Sequence, residues 1–127
     1  MTTVYPTRTL YDEVNTRIAT QTSKPCGDAV RPPGATPPYS VVYPREDVAS
    51  EGTLGDPNVV RLIQFQVSCV GSTMDEALEL QFDVQTALMG WAPAAGDPIL
   101  LEFASGVLRD DDGPVFTTVD RFRTFAN

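Results

Sequence analysis

A chain of 127 residues and 13.8 kDa, 42% of them hydrophobic, suits a single domain built on one core. Its formal net charge of -8 and pI near 4.3 argue against a module that grips duplex DNA, which needs a basic surface to neutralise phosphates. The complete lack of histidine removes the His general base, the Ser-His and Cys-His nucleophile pairs and the imidazole metal ligand.

The opening MTTVYPTRTLYDE has no basic-then-apolar signal layout, and no stretch approaches the roughly 18 apolar residues of a bilayer span. Synthesis in the cytoplasm is therefore expected. In TRTLYDEVNTRIATQ, Leu10, Val14 and Ile18 recur every four residues with Tyr11 beside them, which predicts a helix. Thr9 and Asp12 have the spacing of a capping box at its start, and Pro25 requires the helix to stop by Ser23. Residues 24–38 hold five of the eleven prolines, which rules out regular helix or a central strand there. A short extended piece near Asp28 fits a sheet edge. Cys26 and Cys69 lie too far apart for a paired-cysteine zinc motif and read as two free thiols.

YSVVY (39–43) has strand composition and is expected to end at Pro44, giving way to a long acidic loop over 44–58. In VVRLIQFQVSCVG, Ile63, Phe65, Val67 and Cys69 alternate with Gln64, Gln66 and Ser68, the clearest strand in the chain. Its polar face carries amides and a hydroxyl rather than charges, a surface that water or a neighbouring subunit can cover.

STMDEALELQFDVQTALMG predicts a second helix, with Ser72 as N-cap, Asp75 three residues on, and Gly90 as its terminator. Met74, Ala77, Leu78, Leu80, Phe82, Val84, Leu88 and Met89 span more than half its circumference, with Gln81 and Gln85 in the middle of the arc. One core needs a stripe of about 100° or somewhat more. The excess fits either a subunit contact or cover by the chain's own long loops. Asp75, Glu76, Glu79 and Asp83 crowd the other side, and their like-charge i,i+4 pairs cost an isolated helix a few tenths of a kcal/mol each, roughly. They are either solvated or opposed by cations from another chain. Eight of the nine basic residues are arginine, the residue suited to interface ion pairs.

After the turn segment WAPAAGDP, the residues Ile99, Leu101, Phe103 and Val107 share one parity and predict a strand. VFTTVDRFRTF predicts another, in which Phe116 and Phe122 face one way and Val119 the other; a bulge or burial of both faces reconciles them. Between the two lie Asp110, Asp111 and Asp112, followed by the turn residue Gly113. Three adjacent carboxylates at a hairpin tip diverge, and no glutamate completes a calcium loop, so the turn reading is preferred to a metal site. The elements together predict an α+β fold over residues 1–127: a mainly antiparallel sheet, two helices packed on one face, and a C-terminal β-hairpin.

This order resembles the tail terminator family of long-tailed phages, the minor tail protein U-like or tail-completion proteins. The features that carry the likeness are LYDEVNTRI, YSVVYP, the VVRLIQFQVSCVGSTMDEALELQFDVQTALMG block and RDDDGPVFTTVDRFR. The resemblance implies a structural virion protein, without catalysis or cofactor, that forms a ring, typically a hexamer, at the head-proximal end of the tail. Such a ring caps the tail tube, stops its polymerisation and offers a docking surface to the head-completion or neck protein. DNA passes through without specific binding, which an acidic channel favours.

Closed rings need one patch on each subunit to meet a different patch on the next. Candidate subunit-contact residues are Gln64, Gln66, Glu79, Gln81, Asp83, Gln85, Arg121 and Arg123, with sheet edges expected near Tyr39 and Arg123. Candidates for axial contacts with tube or head are Arg45, Glu46, Asp47, Glu51, Asp110, Asp111 and Asp112. The competing readings are a head-closure or neck adaptor, a metal enzyme gathering Asp110–Asp112 with Asp56 or Glu102, and a binding module using the proline-rich segment.

Overall fold

The computed structural model describes residues 6–49, 61–94, 97–109 and 115–126. Among the described residues, eight elements follow one another: α1 (Pro6–Thr22), β1 (Cys26–Asp28), β2 (Tyr39–Ala49), β3 (Arg61–Gly71), α2 (Met74–Leu88), β4 (Leu100–Ala104), β5 (Leu108–Arg109) and β6 (Phe116–Ala126). The sheet runs β1-β2-β3-β6-β4, with β5 also paired to β6. Only β1 is parallel to its neighbour. The fold is α+β, with both helices sharing one core against one face of the sheet.

The alternation in β3 is realised: Ile63, Phe65, Val67 and Cys69 are fully buried on the helix side. Its partner β6 pairs with it without a shift from Arg61↔Ala126 to Gly71↔Phe116. Of the two arrangements that would reconcile Phe116 and Phe122 with Val119, a bulge against β3 is therefore absent. The inward positions of β6 are Thr118, Asp120, Phe122 and Thr124, so the face that looked irregular by hydrophobicity is the core face occupied largely by polar residues. Phe65 stacks on Phe122 with ring centroids 5.5 Å apart, and Tyr11 of α1 meets Phe65 edge-on. The Tyr11 hydroxyl donates to the carbonyl of Gln64, tying α1 to the sheet.

Several local expectations are corrected. α1 begins at Pro6, one turn before the expected start, with proline at a first-turn position where its missing amide donor is harmless. Thr9 and Asp12 are then interior to the helix, and Asp12 pairs instead with Arg8. Pro44 does not end β2. It faces Phe65, and the register then slips so that Arg45 and Glu46 oppose Gln64 alone, a bulge that accommodates the proline's missing donor. The strand continues to Ala49, so Arg45, Glu46 and Asp47 belong to a strand and not to a loop.

α2 is capped by Thr73 rather than Ser72: its hydroxyl accepts from the Glu76 amide, and the Glu76 carboxylate accepts from the amide and hydroxyl of Ser72. Gly90 sits just past the helix end with φ +80°, as expected of a terminator. Arg17 of α1 reaches that end, donating to the Ala87 carbonyl at 3.0 Å while its guanidinium lies over the Trp91 ring. The strand expected through 99–107 is broken. A register shift between Leu101 and Phe103 makes Glu102 the extra residue and turns Phe103 to the outside. Tyr39 and Arg123 do not mark sheet edges, because β2 and β6 each have strands on both sides; the outermost strands are β1 and β4.

Candidate functional site

Two surfaces and one buried cluster carry the polar residues singled out in the sequence. The first surface is the outer face of the sheet, opposite the helices. In β3 the residues that alternate with the core set, Gln64 and Gln66, point there, as do Arg121 and Arg123 of β6, which are exposed. Gln64 donates to the Glu102 carboxylate at 3.1 Å. Arg45, at the β2 bulge, joins Gln64, Glu102 and Arg121 around a depression of about 230 Å³. Arg121 lies 5.6 Å from the Phe103 ring centroid, which holds the guanidinium over an aromatic face. Tyr43, Leu100 and Phe103 expose apolar surface here, the last two to about half their area. The face thus combines three arginines, two amides and apolar side chains, with Glu102 as its carboxylate.

The second surface is the outward side of α2. Ala77, Leu80, Val84, Ala87 and Leu88 point to the core. The rest of the apolar arc does not. Met74 is 54% exposed, Leu78 42%, Phe82 67% and Met89, just past the helix, 51%. At helical spacing these form one stripe, and Asp75, Glu79 and Asp83 form the ridge beside it. Glu79 and Asp83 share a shallow cavity with Lys24, Glu76, Leu80 and Pro38. Among the described residues, ion pairs join only Arg8 to Asp12 and Arg8 to Asp28. The arginines of the sheet face and the acids of α2 therefore make no ion pair within the described part of the chain.

The buried cluster was not foreseen. Asp120, at an inward position of a central strand, is fully buried. Gln81 donates to its Oδ1 at 2.7 Å and Gln85 to its Oδ2 at 3.2 Å; Gln81 also donates to the carbonyl of Ser105. Burial pushes the Asp120 carboxyl above its ordinary range, against the pull of the two amides. Gln81 is therefore buried and turned inward, not offered to another subunit, and Gln85 is half committed to the same task. The signals were present in sequence: two amides one turn apart inside an apolar arc, and an aspartate on the parity of Phe116 and Phe122.

Glu51, Asp56, Asp110, Asp111 and Asp112 lie outside the described residues. Among the described residues, no three His, Cys, Asp or Glu side chains gather as ion ligands, and no helix is long and apolar enough to cross a membrane. Cys26 and Cys69 are free.

No family model and no curated protein matches the sequence. A solved structure does: a chain of the virion of a native gene transfer agent particle superposes with a TM-score of 0.71. The two are 16% identical, and the likeness covers 94% of this chain and 92% of that one. At that identity the match establishes a shared fold across nearly the whole of both chains.

Proposed function

We propose that this chain is a structural virion protein, a ring-forming tail terminator that caps the tail tube, stops its polymerisation and offers the head-docking surface. The observation that carries the reading is the end-to-end likeness in fold to a chain of a gene transfer agent virion. The sequence resemblance to tail terminators supports the finer assignment, and the surface supports assembly. A monomer that buries its core has no use for a stripe containing a phenylalanine 67% exposed, whereas a subunit does. The polar clusters are arranged for structure: Asp120 is closed off by amides, and the outer face is open and shallow. No catalysis or cofactor enters this reading. The partners are further copies of the chain, six in the ring that the resemblance to tail terminators implies, then the tube protein on one side and a neck protein on the other. DNA passes without specific binding, consistent with the net charge of -8.

The test is mass measurement over a concentration series, electron microscopy for rings, and incubation with purified tail tubes and with portal complexes. Rings that decorate tube ends support the terminator. Rings that bind portal complexes alone assign the chain to head closure at the neck. A monomer that binds neither overturns the virion role.

A further inference from the structure

The ring reading leaves open which surface of one subunit meets which surface of the next, and this inference rests on that reading. We propose that the outer face of the sheet receives the exposed side of α2 from a second copy of the chain, head to tail. Leu100 and Phe103, on the edge strand β4, supply the apolar side of the receiving face, with Arg121 and Arg123 on the neighbouring β6 and Arg45 farther in on β2. The entering helix brings Leu78 and Phe82 as its apolar ridge, with Glu79 and Asp83 alongside.

Three observations converge on a second copy as the occupant. The charges are complementary and unpaired: the described residues provide neither these arginines nor these acids with an ion pair of their own. The sheet face sets three arginines against one carboxylate, Glu102, beside half-exposed apolar side chains, and the helix sets acids beside its own, so apolar area meets apolar area when the arginines meet the acids. The two surfaces also belong to opposite layers of the molecule, the helix layer and the part of the sheet's outer face around Arg121 and Arg123, which is exposed although Val41, Ser68 and Val70 on the same side are buried. A contact between them is heterologous by construction and propagates from copy to copy, as a ring requires. Arginine fits the role because its planar fork meets a carboxylate with two hydrogen bonds, and Phe103 already holds Arg121 over its ring.

The experiment uses two charge-reversed full-length variants, R121E with R123E and E79R with D83R, and their fourfold combination. All four positions lie on the protein's surface rather than among its buried residues, and thermal melts confirm that each variant is folded before association is measured. Sedimentation velocity is expected to show each paired variant associating at least about tenfold more weakly than the parent, roughly 1.4 kcal/mol. An equimolar mixture of the two, and the fourfold variant alone, are expected to regain association, because the charges are again opposite. If R121E with R123E assembles like the parent, the sheet face is not the receiving surface, and the pairing falls while the ring reading stands. If that variant assembles normally but loses retention of single-stranded or duplex DNA shown by the parent, the arginines serve phosphate and the pairing falls equally. A parent that is monomeric at every concentration and on tube ends removes both.

Discussion

Asp120 is the residue whose chemistry the fold most alters. Its folded-state pKa is raised chiefly by burial, while Gln81 and Gln85, by donating to the carboxylate, favour the charged form and limit the rise. The native state therefore binds a proton more tightly than the unfolded chain, and this residue's contribution to stability falls as pH rises through its folded pKa. Asp120→Asn removes the charge, and Gln85 can turn its amide to accept from the new donor. In urea titrations the variant is expected to be more stable than the parent at neutral pH, with the gap closing as the medium is acidified. A gap independent of pH would mean that folding does not shift the carboxyl's pKa. Gln81→Leu, by contrast, leaves Oδ1 without its 2.7 Å donor and is expected to destabilise by about 1–3 kcal/mol. The thiols give a second check at this scale. Burial pushes Cys69 up to about 12 and raises Cys26 as well, so a thiol reagent at neutral pH should label Cys69 only in denaturant.

At the scale of elements, the ends of α2 divide conformational from steric effects. Gly90 has φ +80° and nothing within reach of an added Cβ, so Gly90→Ala costs only backbone conformation, about 1 kcal/mol. At Gly71 an added Cβ would lie 2.5 Å from the backbone nitrogen of Ala77, where β3 passes under the first turn of the helix. Gly71→Ala is expected to cost clearly more than Gly90→Ala in the same urea titration; equal costs would mean that the turn shifts freely. The legibility of the elements follows the same division. Alternation in β3 and the spacing of Leu10, Val14 and Ile18 were visible because hydrophobic burial alone sets them. The polar inner face of β6 was hidden, since Thr118, Asp120 and Thr124 are satisfied or tolerated only through partners on other elements. The bulges at Pro44 and Glu102 were equally hidden, because a register slip is a property of two strands and neither sequence carries it alone. The cap of α2 moved by one residue because Thr73 and Glu76 make the same spacing as Ser72 and Asp75, and glutamate has the longer reach.

At the scale of the whole molecule, the question is how much apolar surface the monomer leaves uncovered and why. Phe82 is the sharpest case: it lies on a well-formed helix, at 67% exposure, next to Leu78 and Met74. If the stripe were an accident of a loosely covered core, Phe82 would contribute to the stability of the single chain. If it exists for contact between copies, its removal leaves the monomer alone. Phe82→Asp tests this because it adds a charge where the monomer has solvent and an assembled ring has apolar neighbours. The expected outcome at low concentration is a urea midpoint within about 0.5 kcal/mol of the parent's stability, as for a surface substitution. At high concentration the parent's larger species is expected to disappear, since burying an unpaired carboxylate in an interface costs several kcal/mol, roughly. Raising salt should weaken the parent's association by screening, but only in part, because the apolar stripe is not screened. Loss of monomer stability without loss of association would instead return Phe82 to the core and leave α2 without a reason to face outward.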